Sequence, residues 1–121
     1  MGVVVVVLAV AGIAVSLIAR DGSEGQARPI LILGDYSISG SLAVEAGDVN
    51  FAVANGGGIT HNVGVRGGPI TADLAPGQAG KLEVLALAPG TYELYCDIGD
   101  HEERGMVAAL EVLAPTATTA T

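Results

Sequence analysis

The chain has 121 residues, a net charge of −8, 18 glycines, a single phenylalanine and no tryptophan. This length suits one domain, and the composition favours short strands and tight turns over helices. The acidic charge argues against a nucleic-acid-binding protein, which needs lysine and arginine to neutralise phosphates, and the single cysteine excludes an intramolecular disulfide.

The first predicted element is an apolar run of 18 residues, positions 2–19, which ends at Arg20. As a helix it would be about 27 Å long, just enough to cross the hydrocarbon core of a bilayer. A buried core helix is the alternative, but the run is uncharged and stands apart from the strand pattern that follows. We expect residues 1–20 to form a membrane anchor or, alternatively, a signal segment whose cleavage gives a secreted protein. Residues 21–28 follow as a flexible polar linker.

The central part of the chain, residues 29–113, alternates short apolar stretches with glycine- and proline-containing turn signals. The predicted strands are residues 30–33, 36–44, 49–54, 60–65, 82–87, 91–96 and 106–113. Seven or eight strands in about 85 residues predict an all-β domain, a β-sandwich of two sheets. Residues 114–121 have low complexity and are expected to be a disordered tail.

The side chains that can bind a soft metal ion form a small set of four. Apart from the initiator methionine, the histidines, cysteines and methionines of the sequence are His61, Cys96, His101 and Met106. The last three share one segment, with four residues between neighbours, and His61 lies 35 residues before Cys96. One thiolate, two imidazoles and a weak axial thioether suit copper in both oxidation states. We therefore predict that these four residues bind one copper ion.

Each of these residues also has a purely structural interpretation. Cys96 can be a small buried hydrophobic residue, His61 a hydrogen-bonded or surface histidine, and Met106 part of the core. His101 can be a solvated loop residue among its acidic neighbours. The combination favours the metal site, because every cysteine, histidine and methionine of the sequence except the initiator belongs to the set.

Residues 44–112 resemble the cupredoxin, or plastocyanin-like, family of type 1 blue copper proteins. The matching stretches are residues 44–49, 55, 61–63, 75–78, 88–92 and 95–106. The resemblance implies a Greek-key β-sandwich of seven or eight strands with one mononuclear copper near one end. It also implies that His61, Cys96 and His101 are equatorial ligands, that Met106 is axial, and that hydrogen bonds of Asn62 join the two ligand loops. His101 would be the partly exposed ligand through which electrons enter and leave.

The function implied by the resemblance is the transfer of single electrons between redox partners at the extracytoplasmic face of a membrane, in the periplasm or at the cell surface. No enzymatic activity and no small-molecule substrate are expected, because both histidines belong to the copper set. The alternatives are a copper-trafficking module and the cupredoxin domain of a larger copper oxidoreductase, which would need additional histidines for catalytic copper.

The segment around His101 departs from many relatives because it is acidic. Its carboxylates belong to Asp97, Asp100, Glu102 and Glu103. We expect these carboxylates to dock a basic surface of the redox partner, since charges at an interface rim act on the encounter rate. The alternative is a solvated acidic loop that aids solubility.

Overall fold

The computed structural model of the protein describes residues 28–115. These residues fold into eight strands: β1 (Ile30–Gly34), β2 (Ser37–Gly40), β3 (Ala43–Glu45), β4 (Gly47–Asn55), β5 (Gly64–Val65), β6 (Ala79–Leu87), β7 (Gly90–Tyr95) and β8 (Val107–Leu113). The anchor or signal segment expected at residues 1–20, nearly all of the linker and most of the tail lie outside the described residues. Within residues 28–115, no helix has the length and apolarity that a membrane span requires.

The strands form two sheets of four, which confirms the prediction of an all-β domain with two sheets. One sheet has the order β2-β1-β4-β6 and the other has the order β3-β8-β7-β5. The pairs β1–β4 and β3–β8 are parallel, and the other neighbouring pairs are antiparallel. Strands β7 and β8, which flank the segment with three of the predicted ligands, are therefore direct neighbours.

The core lies between the sheets and is built from alternate residues of the strands, as the period of two along a strand requires. On β4, Val49, Phe51 and Val53 are all buried, and Phe51 has no exposed surface. Burial of a side chain of this size contributes about 1.5–3 kcal/mol. Cys96 and Met106 belong to the same buried cluster. Both ends of the segment 96–106 are therefore fixed in the core.

Two predicted strands differ from the structure. The stretch 36–44 is divided between β2 and β3, which belong to different sheets, so the chain crosses the sandwich near Gly40. A Cβ at Gly40 would lie 2.2 Å from the carbonyl oxygen of Ile30, and its φ of 112° is in the region that favours glycine.

The second difference concerns the predicted strand 60–65, of which only β5 is regular strand. The preceding residues pair with the returning chain through an isolated bridge between His61 and Leu74. Continuous pairing needs a regular partner strand, and the chain from 66 to 74 is irregular except for isolated bridges at Ile70 and Leu74. His61 consequently sits on a short, separately anchored segment.

Candidate metal centre

Three of the four predicted ligands meet in the interior. One side-chain atom from each of His61, Cys96 and His101 lies within 4.8 Å of the others, and all three residues are buried. The Sγ atom of Cys96 is 3.5 Å from Nδ1 of His101. The two imidazole centroids are 4.9 Å apart with an interplanar angle of 61°. The fold thus brings a thiol and two imidazoles from distant parts of the sequence to a single point.

His61 is held by its backbone and by one ring nitrogen, which leaves its other nitrogen free. Its amide donates to the carbonyl of Leu74 at 3.1 Å, and the amide of Leu74 donates back at 2.8 Å. Its Nε2 lies 2.9 Å from Oδ1 of Asp35. Within the described residues, its Nδ1 is buried and has no hydrogen-bond partner. An unpaired buried polar atom costs about 1–3 kcal/mol, so this lone pair is suited to a metal ion.

Asp35 is the hydrogen-bond partner of the His61 ring. It lies in the two-residue turn between β1 and β2, and its carboxylate also accepts a hydrogen bond from the amide of Gly58 at 2.9 Å. The hydrogen bond from His61, followed by that from Gly58, lowers the pKa of the Asp35 carboxyl. An ionised carboxylate only accepts, so a neutral His61 that makes this bond donates from Nε2 and has its lone pair on Nδ1.

The segment 96–106 is closed by backbone hydrogen bonds at both ends. Cys96 follows β7 directly, and its amide donates to the carbonyl of Met106 at 3.2 Å. The amide of Met106 donates in turn to the carbonyl of His101 at 3.0 Å. Met106 is fully buried, while His101 retains 8% exposure. The structure therefore places Met106 beside both loop ligands through its backbone, and coordination by its thioether stays a prediction.

Asn62 joins the two parts of the site. Its amide nitrogen donates to the carboxylates of Asp97 at 2.8 Å and Asp73 at 3.0 Å. Its side-chain oxygen accepts from the backbone amide of Asp97 at 3.0 Å. Because Asn62 is adjacent to His61 and Asp97 is adjacent to Cys96, these bonds fix the separation of the two ligands. The link predicted for Asn62 is confirmed.

Sequence reasoning missed two residues in the turn between β1 and β2, Asp35 and Tyr36. Tyr36 has a φ of 69°, and its ring meets the rings of His101 at 5.2 Å and His61 at 6.3 Å edge-to-face. Edge-to-face contacts of this kind stabilise a ring orientation. Asp35 falls between two predicted strands, but Tyr36 belongs to the predicted strand 36–44, which in the structure begins only at Ser37. Nothing in the spacing of the ligands pointed to these two residues as part of the site.

The acidic segment is partly neutralised by arginines. Arg66, which follows β5, forms ion pairs with Glu102 and with Glu93, and its guanidinium lies 3.9 Å from the ring centroid of Tyr95. Hydrogen bonds to Glu102 and then Glu93 raise the pKa of Arg66. Arg104 pairs with Asp100 at 2.9 Å. All of these pairs are exposed, so each contributes little to stability.

Comparisons with known proteins agree with this geometry. No family model matches the chain. A multicopper oxidase of Staphylococcus epidermidis is 42% identical over 48 residues, which are 40% of this chain and only 11% of that curated relative. A solved structure of reduced auracyanin from Roseiflexus castenholzii covers 69% of this chain and 94% of its own, with a TM-score of 0.59 and 20% identity.

A second group of structural neighbours consists of larger enzymes. The blue copper oxidase of Nitrosomonas europaea matches 74% of this chain and 39% of its own, with a TM-score of 0.56 and 18% identity. Auracyanin and the blue copper oxidase thus share this architecture. The chain has the cupredoxin fold, and its buried His61, Cys96 and His101 fit one type 1 copper ion.

Proposed function

We propose that the protein carries single electrons between redox partners through one type 1 copper bound by His61, Cys96, His101 and Met106. The observation that carries the proposal is the buried convergence of one thiol and two imidazoles, together with the unpartnered Nδ1 of His61. When bound, copper supplies reversible one-electron exchange between its two oxidation states. In this arrangement His61, Cys96 and His101 are the equatorial ligands and Met106 is the weak axial one.

Rigid ligands favour electron transfer because they move little when the charge of the metal changes. His61 and Cys96 have no exposed surface, and the hydrogen bonds of Asn62 connect their two segments. His101 is the most exposed of the proposed ligands, at 8%. Electrons should therefore enter and leave through the imidazole of His101.

A second candidate function is the cupredoxin domain of a larger copper oxidoreductase. The local similarity to a multicopper oxidase, 42% over 48 residues, favours it. Catalytic copper in such an enzyme needs further histidines, and His61 and His101 are the two in this sequence. We therefore propose that this chain by itself is not an enzyme. A copper-trafficking role is the third possibility, in which metal transfer replaces electron transfer.

The decisive experiment is an absorption and EPR spectrum of the copper-loaded protein. We expect an intense visible band from charge transfer between the Cys96 thiolate and Cu(II), and reversible bleaching by one electron per copper. Cys96→Ser should abolish the band, whereas Thr91→Ser, at an exposed position of β7, should retain it. Preference for zinc, or copper binding without the band, would contradict a type 1 site.

Two further assays separate the alternatives. A carrier should exchange electrons with a reduced partner protein and retain its copper, whereas a trafficking module should release the metal to an acceptor. A carrier should also consume no oxygen when it is supplied with a reductant. Oxygen reduction by the purified chain would favour the oxidoreductase.

The proposed location is the extracytoplasmic side of a membrane, with residues 1–20 as the anchor; secretion after cleavage is the alternative. The proposal is supported by the apolar run at positions 2–19. Deletion of residues 1–20 should move the protein from the membrane fraction to the soluble fraction with its copper spectrum intact. A soluble protein whose mature N-terminus lies at or beyond Arg20 would show a cleaved signal instead.

A further inference from the structure

We propose that Asp35 is a positioning residue that holds His61 in its metal-binding tautomer and lowers the reduction potential of the bound copper. The inference rests on the proposed copper function. It concerns a carboxylate that the ligand pattern in the sequence does not contain, 26 residues before His61.

The hydrogen bond between His61 and Asp35 has a defined direction. Nε2 of His61 lies 2.9 Å from Oδ1 of Asp35, and Nδ1 of the same ring is buried without a partner in the described part of the chain. A carboxylate that accepts from Nε2 selects the tautomer whose lone pair is on Nδ1. Without it, the two neutral tautomers of the imidazole would compete, and one of them has its proton where the metal should bind.

The surrounding chain is shaped for the hydrogen bond between Asp35 and His61. A Cβ at Gly57 would lie 2.4 Å from Oδ1 of Asp35 and 3.0 Å from Nε2 of His61. The side chain of Asn55 holds Gly57 beside the Asp35–His61 hydrogen bond. Its oxygen accepts from the amide of Gly57 at 2.9 Å, and its nitrogen donates to the carbonyl of Leu74 at 2.8 Å. The amide of Gly58 supplies a second hydrogen bond to Asp35. The carboxylate is therefore held in place by two donors.

The carboxylate of Asp35 should lower the reduction potential of the copper. A negative charge beside Nε2 makes the imidazole a stronger electron-pair donor to the metal through Nδ1. Cu(II) carries one more positive charge than Cu(I), so a more electron-rich ligand and a nearby anion both stabilise Cu(II) more than Cu(I). The side chain of Asp35 is 47% exposed, so solvent weakens its direct Coulomb interaction and the hydrogen bond to His61 carries most of the effect.

The test is the reduction potential of Asp35→Asn, followed through the visible band of the copper-loaded protein. The amide oxygen of Asn preserves the shape and can still accept, but the charge is removed. We expect the ratio of Cu(II) affinity to Cu(I) affinity to fall about tenfold, a rise in potential of about 59 mV for a one-electron couple. The matched control is Asp48→Asn, which removes the same charge from a carboxylate that accepts from the backbone of Ala86.

A second measurement reads the tautomer directly and does not need copper. Imidazole ¹⁵N shifts of the metal-free protein should show His61 protonated at Nε2, and Asp35→Ala, which leaves Nε2 without its acceptor, should introduce the Nδ1-protonated form. Potentials that shift equally in Asp35→Asn and Asp48→Asn would overturn the tuning role, and an unchanged tautomer would overturn the positioning role. Absence of a blue copper band in the unmodified protein would instead reject the proposed function, and the tautomer experiment would still decide the positioning role.

Discussion

The two histidines of the candidate site are held in opposite ways. His61 is fully buried and is held through Asp35 on its ring and Leu74 on its backbone. His101 lies on the acidic segment 96–106, keeps 8% exposure and has exposed ion pairs beside it. Buried hydrogen bonds are costly to leave unmade, whereas exposed ion pairs contribute about 0–1 kcal/mol. The His61 side of the site, which consists of His61 and the residues that hold it, should therefore control the reduction potential of the metal. The His101 side, which is the acidic segment 96–106, should control the access of partners to it.

The largest effect should come from the buried amide that supports the His61 side. Asn55→Ala removes the side-chain hydrogen bonds to the carbonyl of Ile59 and to the amide of Gly57, and it leaves the carbonyl of Leu74 with only the amide of His61. We expect the free energy of unfolding of the metal-free protein to fall by about 3 kcal/mol, because buried groups lose their hydrogen bonds. Denaturant titration measures this loss.

The matched control for this prediction lies on the same strand. Asn50, also on β4, has a buried side-chain oxygen without a hydrogen-bond partner among the described residues. Asn50→Ala should leave the free energy of unfolding unchanged or raise it, because it removes a buried acceptor that makes no hydrogen bond. Equal losses in the two variants would mean that packing of the amides, and not their hydrogen bonds, stabilises β4.

Substitutions at Met106 test whether a buried residue of segment 96–106 also tunes the reduction potential of the metal. It ends the acidic segment, yet it is as deeply buried as His61. Met106→Leu should preserve the colour and raise the reduction potential, whereas Met106→Gln should lower it, because the axial ligand tunes the metal. Both shifts should exceed that of Asp35→Asn in redox titrations. Unchanged potentials would assign Met106 to the core alone.

Gly57 offers a smaller, steric way to disturb the His61 side. Gly57→Ala places a methyl group against the carboxylate of Asp35 and should displace it, with a loss of about 1 kcal/mol in stability. The reduction potential should then rise as in Asp35→Asn. Gly58→Ala is the matched control, since a Cβ there would lie 3.4 Å from Oδ2 of Asp35. A potential that is unchanged in Gly57→Ala would show that the carboxylate is not required in its present position.

The sequence predicted what depends on local pattern or on a rare residue type. The alternation within residues 49–54 puts Val49, Phe51 and Val53 on one face of a strand, and the structure buries all three. The scarcity of histidine and cysteine singled out His61, Cys96 and His101, which the fold brings together. Spacing along the chain carries these signals, so no tertiary information is needed to find them.

The contacts that the sequence did not predict join common residues across long separations. Asp35 is 26 residues from its partner His61, and Arg66 is 36 residues from its partner Glu102. Aspartate and arginine are frequent on any surface, and neither contact follows a helix or strand period. Only the packing of the β1–β2 turn against the His61 segment, and of β5 beside β7, reveals them.

The smallest effects are expected on the His101 side, where the acids should act on partner encounter. The structure distinguishes two neighbours: Glu102 is engaged by Arg66, whereas Glu103 is exposed and has no ion pair within residues 28–115. Either Glu→Gln substitution should slow association with a basic redox partner a few-fold at low salt, because both remove one charge from the field. Only Glu103→Gln should also shorten the lifetime of the complex, since Glu103 has a free carboxylate for a partner cation.

Salt and distance provide the controls for this last prediction. The differences should vanish near 1 M salt, where the Debye length is about 3 Å compared with about 10 Å at 0.1 M. Glu111→Gln on β8 should leave the rate unchanged, because Glu111 lies five positions along the chain from Met106, about 17 Å from the end of the acidic segment. The copper spectrum should be the same in all three variants. Association rates that change neither with salt nor with Glu103→Gln would mean that the partner contacts an apolar surface beside His101 and that the acidic side chains serve only solubility.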